Sequence, residues 1–140
     1  RLPLPQHPDQ EPTMIELYTA STPNGQKISI ALEELGLPYI VRAVDLGKGE
    51  QKEPGFLAIN PNGRIPTLVD GDLVLFESMA INLYLAKTYG GDLYPDNAAD
   101  EARAIQWSVW GISEIEPLQM RIVVQKFFTP KDQRDGTCTI

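Results

Sequence analysis

Residues 15–44 read IELYTASTPNGQKISIALEELGLPYIVRAV, and a change of period inside this stretch decides the fold. Ile15 to Thr19 is a short apolar and β-branched run, the composition of a strand. The polar segment ASTPNG breaks it. From Gln26 to Leu35 the apolar residues Ile28, Ala31, Leu32 and Leu35 recur at helical spacing, while Lys27, Glu33 and Glu34 stay on the wet side. Gly36 supplies the stop, and Tyr39 to Val44 is a second strand. A strand, helix and strand in so short a span form a βαβ unit, which places the two strands parallel through a right-handed crossover.

Downstream, Asp45 to Pro54 is a polar loop containing GKGEQKEP, followed by a short helix around Gly55 to Ile59 and a turn over Asn60 to Arg64. Ile65-Pro66-Thr67-Leu68-Val69 leads through Asp70-Gly71 to Leu73 to Phe76, the spacing of a hairpin. A helix then runs from Ser78 toward Thr88, with Met79, Leu83 and Ala86 on one face and Ile81 and Leu85 widening it. The expected order is β-α-β, a short helix, then β-β-α.

Glycines and a proline between Gly90 and Asn97 mark a boundary. The reading places an irregular leader at 1–13, an α/β domain at 14–90, a linker at 91–99, a partial helical domain at 100–135 and a tail at 136–140. Helical spacing resumes over Glu101 to Trp110 and continues over Gly111 to Phe128, with a bend near Pro117. Ile105, Trp107, Ile112, Ile115 and Leu118 on these helices need a surface: the first domain, another chain or a segment not present. Met14 resembles a natural start, which makes RLPLPQHPDQEPT ahead of it a leader of vector or read-through origin, or Arg1 the edge of a fragment.

Composition narrows the function. With 140 residues, 42% of them hydrophobic, the chain holds one real core rather than two large domains. Nineteen acidic against twelve basic side chains, a formal charge of −7, argue against a nucleic-acid binder, which needs clustered Lys and Arg. One cysteine, Cys138, and one histidine, His7, exclude an internal disulfide and any metal site built from several such ligands. No apolar run approaches the roughly 20 residues that span a bilayer. A soluble protein of the cytoplasm is expected.

Four places carry chemistry. Thr22 and Asn24 sit between the first strand and first helix, where unpaired helical amides attract anions and both side chains can donate to a thiolate supplied from outside. The same residues also make an ordinary helix cap ahead of Pro23. Ile65-Pro66 admits a cis peptide that turns the Ile65 backbone toward a peptide-like ligand, or an ordinary trans turn. Glu77 and Ser78 open the next helix, where a hydroxyl and amide suit a carboxylate and the acid suits an ammonium, or where they are a cap and its neighbour. Gln51 and Lys52 hold another polar end of the same ligand or are simply solvated.

Taken in order, YTASTPNGQKISIALEELGLPY, INPNGRIPTLVDGD and LFESMAINLYLAKTYG resemble the glutathione transferase superfamily, nearest its branch of bacterial disulfide-bond oxidoreductases and the yeast nitrogen regulator. The resemblance runs from Met14 to about Asp135. It implies an α/β thioredoxin-like N-terminal domain followed by the first part of an all-α C-terminal domain. It also implies glutathione as bound cosubstrate, no metal, and a second substrate that is a small electrophile or a disulfide. Thr22 and Asn24 are then placed near the glutathione sulfur, Gln51 and Lys52 near the glycyl end, Ile65 on the cysteinyl backbone beside a cis Pro66, and Glu77 and Ser78 around the γ-glutamyl group. Many relatives use Tyr, Ser or Cys near the end of the first strand, and Tyr18 and Ser21 stand there in this chain. The chemistry implied is a glutathione-dependent transfer or disulfide reduction, or, in a catalytically incomplete chain, a glutathione-binding regulatory or protein-interaction module. Full-length relatives are expected to be homodimers. No CxxC motif is present, so a protein dithiol is not the redox centre.

Overall fold

The computed structural model describes residues 14–134 and residue 136, so the leader with His7 and the tail's Cys138 lie outside the described residues. The chain divides between Tyr94 and Pro95 into two compact units. The first contains β1 (Ile15–Thr19), α1 (Pro23–Glu34), β2 (Tyr39–Ala43), α2 (Pro54–Ile59), β3 (Thr67–Asp70), β4 (Leu73–Phe76) and α3 (Ser78–Tyr89). Its four-stranded sheet has the order β2-β1-β3-β4. β1 and β2 are parallel, as a βαβ unit requires, and the β1–β3 and β3–β4 pairs are antiparallel.

Strand alternation sorts the two faces of β1. Ile15 and Leu17 are buried on one face with Leu68 of β3, and Ile28 and Leu32 of α1 meet Ile81 and Leu85 of α3 over them to complete the core. On the other face the Tyr18 ring meets Phe56 of α2 edge-on, with centroids 6.2 Å apart. The Tyr18 hydroxyl donates to Glu16 Oε2 at 3.3 Å, and Arg42 Nε of β2 donates to the same oxygen at 2.7 Å. The Arg42 hydrogen bond holds the Glu16 carboxyl below its usual range.

Two elements differ from the sequence reading in instructive ways. α1 begins at Pro23 rather than Gln26, because Thr22 caps it and proline is well suited to the first helical position. On α3 the core contacts are Ile81 and Leu85, one turn apart and fully buried, whereas Met79, Leu83 and Ala86 are only half-buried. In addition, Glu50–Lys52 forms a single 3₁₀ turn inside the polar loop, and Gly91–Leu93 forms another at the expected boundary.

Asp70, at the hairpin turn, clasps α3. Its Oδ2 accepts from Tyr84 at 2.7 Å and from Tyr89 at 2.5 Å. Burial first, then the Asp70 hydrogen bond, pushes both phenols above the ordinary tyrosine value. A raised phenol keeps its proton in the folded chain after the unfolded chain has lost it. This contribution to stability is therefore complete below about pH 10 and is lost as pH rises beyond it. Urea midpoints at about pH 8 and about pH 11 should diverge, and the Tyr84→Phe/Tyr89→Phe double variant should show a smaller divergence. An unchanged divergence in the double variant would remove the clasp from the account.

The second unit holds α4 (Ala98–Trp110), a π-helical turn over Gly111–Ile115, α5 (Glu116–Val123) and a second π-helical turn over Val124–Phe128. Asn97 caps α4 by accepting from the Asp100 amide at 3.0 Å. α4 continues into α5 through the π-turn just before Pro117, where proline cannot donate to the preceding turn. Ile105, Trp107, Ile112, Ile115 and Leu118 are exposed. No helix among the described residues is long and apolar enough to cross a membrane.

Candidate functional site

Strand register brings the chemistry together. Tyr18 of β1 pairs with Thr67 of β3, and Thr67 pairs with Phe76 of β4, so these three residues form one row across the sheet. Just past this row β1 runs out into Thr19 and Ala20, β3 is entered from Pro66 and Ile65, and β4 runs out into Glu77 and Ser78. With neighbouring strands about 4.8 Å apart, Ile65, Pro66, Glu77 and Ser78 share one end of the sheet with the β1–α1 turn that carries Thr22 and Asn24. The N-termini of α1 and α3 open at this same end, and neither helix carries an acidic side chain in its first turn. The positive dipole ends of both helices favour an anionic ligand, and no side chain caps the first amides of α3.

Thr22 is the N-cap of α1, and its Oγ1 accepts from the Gly25 amide at 3.2 Å. That bond uses an oxygen lone pair and leaves the hydroxyl proton to be donated elsewhere, so capping and donation to a ligand are compatible. Asn24 Oδ1 accepts from Lys27 Nζ at 2.7 Å, which brings a cation to the helix start that sequence reading left on the solvated face. Tyr18 is committed to Glu16 and Phe56 on the sheet face, a structural role.

The Ile65-Pro66 peptide is cis, the less common of the two geometries considered from sequence. Pro66 is buried and Ile65 half-buried. Among the described residues neither the N–H nor the C=O of Ile65 has a hydrogen-bond partner. Glu77, not Ser78, occupies the cap position of α3, and its side chain makes no capping bond. This corrects the cap alternative for Ser78, which is the first helical residue. Glu77 has φ 74° and ψ 111°, the only non-glycine positive φ among the described residues. A glutamate held in this sparsely populated region is the kind of backbone strain that gathers at functional sites.

Gln51 and Lys52 join the same end through the loop that precedes β3. Lys52 Nζ donates to the Asn62 carbonyl at 3.3 Å. Gly63, at φ 57°, lies so close that an added Cβ would sit 2.9 Å from the Gln51 carbonyl oxygen and 2.7 Å from Lys52 Nζ. Among the described residues Gln51 Oε1 is buried without a hydrogen-bond partner. A buried acceptor in this state calls for a donor.

Sequence reasoning passed over Gly25, Asn60 and Gly63. Gly25 abuts the Ala20 carbonyl and Thr19 Oγ1, so α1 starts hard against the end of β1. The available signal was a glycine in the first turn of a helix, where its poor helix propensity needs a packing reason. Asn60 is 1% exposed and hydrogen-bonded at both ends of its amide. Among the described residues no group of three or more His, Cys, Asp or Glu forms a metal site.

A mixed four-stranded sheet of this order, with two helices over one face and a cis-proline entering the antiparallel strand, defines a thioredoxin-like domain. The chain belongs to the glutathione S-transferase family: residues 13–87 match the model of the glutathione S-transferase N-terminal domain. It is 46% identical over 112 residues to the disulfide-bond oxidoreductase YfcG of Escherichia coli, covering 75% of this chain and 52% of that protein. It is 41% identical over 106 residues to the protein URE2 of Eremothecium gossypii, covering 70% of this chain and 30% of that one. A glutathione transferase from Burkholderia graminis, solved with two glutathione molecules per subunit, superposes with a TM-score of 0.84 at 39% identity, covering 94% of this chain and 57% of that one. The chain thus spans about half the length of YfcG and less of URE2.

Proposed function

We propose that the protein binds glutathione at this end of the sheet and that, with the full length of its relatives, it uses the glutathione thiolate in group transfer or disulfide reduction. The observation that carries the reading is the register that gathers the Thr22 turn, the cis Ile65-Pro66 and Glu77-Ser78 at one sheet end. In this reading the Thr22 hydroxyl donates to the sulfur, with Asn24 beside it, and the Ile65 backbone pairs with the cysteinyl residue. Ser78 and the α3 amides take the γ-glutamyl carboxylate while Glu77 takes its ammonium. Gln51 Oε1 accepts a ligand N–H, and Lys52 answers the glycyl carboxylate.

Hydrogen bonds to the sulfur stabilise the thiolate relative to the thiol. In transfer, that sulfur attacks an electrophilic carbon, a C–S bond forms, and the leaving group departs with its electron pair. In reduction it attacks one sulfur of a disulfide, releases the other as a thiolate, and a second glutathione resolves the mixed disulfide to glutathione disulfide. Product identity separates the two: a thioether indicates transfer, and glutathione disulfide without an adduct indicates reduction. A homodimer and a cytoplasmic setting are part of the same proposal.

The exposed apolar residues of α4 and α5 favour a second reading: a glutathione-binding module that acts through a partner. Saturable binding without turnover by this chain would select it. Turnover at the rate of a full-length relative would reject it.

Thr22 and Ser78 should divide the work. Thr22→Ala is expected to lower turnover at least about tenfold while the glutathione Kd moves by less than about threefold, because its donor matters most to the charged sulfur. Ser78→Ala should weaken binding by about tenfold and leave the bound complex's turnover nearly intact. Calorimetry and single-turnover product formation on the same folded samples check this, and equal losses in both measurements for both variants would contradict it.

A further inference from the structure

We propose that Asn60 is the positioning residue of this site, setting the Ile65 backbone and the Gln51–Lys52 arm together; the inference rests on reading the sheet end as a glutathione site. Asn60 follows α2 and is 1% exposed. Its Nδ2 donates to the Arg64 carbonyl at 2.7 Å and to Thr67 Oγ1 at 3.0 Å, and its Oδ1 accepts from the Asn62 amide at 3.0 Å. The amide orientation is fixed by its partners: a carbonyl only accepts and a backbone N–H only donates. Two donors and an acceptor in one plane on a one-carbon stem are what asparagine offers, and aspartate would set a carboxylate against the Arg64 carbonyl.

Each bond holds a different part of the site. The Arg64 bond fixes the peptide that leads into Ile65, and the Thr67 bond fixes the residue after Pro66, so the cis unit is tied on both sides. The Asn62 bond shapes the turn whose carbonyl receives Lys52 Nζ and whose Gly63 packs on the Gln51 backbone. A single buried amide therefore links the arm assigned to the cysteinyl backbone with the arm assigned to the glycyl end. Losing it should impair recognition of the glycyl end as well as overall affinity, and a merely structural asparagine would not change the ratio between ligands.

The test is calorimetric titration of the wild-type chain, Asn60→Ala, Thr67→Val and Ser78→Ala with glutathione and with γ-glutamylcysteine, which lacks the glycyl residue. The wild type should prefer glutathione by about tenfold. Asn60→Ala should bind glutathione about tenfold more weakly and bring the two ligands within about threefold of each other. Thr67→Val, of similar shape, should move both quantities the same way by about threefold. Ser78→Ala should weaken both ligands alike. Unchanged affinity and ratio in Asn60→Ala, with Ser78→Ala weakened, overturn the inference while the site reading stands. Should Asn60→Ala fail to fold, Thr67→Val decides on the same criteria. Equal wild-type affinity for the two ligands overturns the Gln51–Lys52 half of the inference, and no wild-type binding of glutathione overturns the site reading and this inference with it.

Discussion

Gly25→Ala should destabilise the protein by about 2 kcal/mol and weaken glutathione binding by about tenfold, although helix propensity alone predicts a gain of about 1 kcal/mol. The sign is decided by what the new methyl meets. A Cβ built on Gly25 collides with the Ala20 carbonyl oxygen and Thr19 Oγ1. Thr19 is itself buried, and the Ala20 carbonyl is held by the Thr22 amide at 2.7 Å. Relief therefore requires the start of α1 to lift away from β1. That movement stretches the 3.2 Å bond from the Gly25 amide to Thr22 Oγ1 and displaces the hydroxyl assigned to the sulfur. Denaturant midpoints and calorimetry read the two effects, and a variant at least as stable as wild type would show that the turn yields without cost.

Leu17→Ala should cost about 3 kcal/mol, a large share of the roughly 5–15 kcal/mol available to a domain. Leu17 lies at the middle of β1, fully buried among Leu68, Ile28, Leu32, Ile81 and Leu85. Its removal opens a cavity under both covering helices, and α3 carries Ser78 at its start. Val41→Ala, on the exposed β2 edge at 54% exposure, is the matched control and should stay within about 0.5 kcal/mol. Comparable losses at the two positions would mean that the core is not where the packing places it.

The fold was legible where composition, turn spacing or helical period marked an element. Ile15 to Thr19 is read from its apolar, β-branched composition, Leu73 to Phe76 from its hairpin spacing and the apolar stripe of α1 from helical spacing, and those elements occupy those positions. The α3 face was read with the wrong emphasis, since nearly every residue from Met79 to Leu85 is apolar and periodicity alone does not choose a centre. Packing against α1 and the sheet chooses Ile81 and Leu85. At the candidate site, a cap ahead of Pro23 was one of the alternatives that local chemistry offered for Thr22 and Asn24, although the apolar spacing starts the helix only at Gln26. The cis state of Pro66 did not, because Ile-Pro accepts either geometry until the tertiary contacts are known. Asn60 was invisible for a related reason. In INPNGR it reads as a turn residue, and its burial arises only when Arg64 and Thr67 fold back over it.

The proposed glutathione site is the sheet end formed by the β1 exit, the β3 entry and the β4 exit. Amide chemical-shift mapping during a glutathione titration of the isotopically labelled chain tests it most directly. Saturable shifts are expected at Gly25, Gln51, Ile65, Ser78 and Met79, with Asp70, Gly71 and Tyr89 at the far end unmoved. Saturable shifts centred on the far end, or none at any concentration with the fold intact, would contradict it.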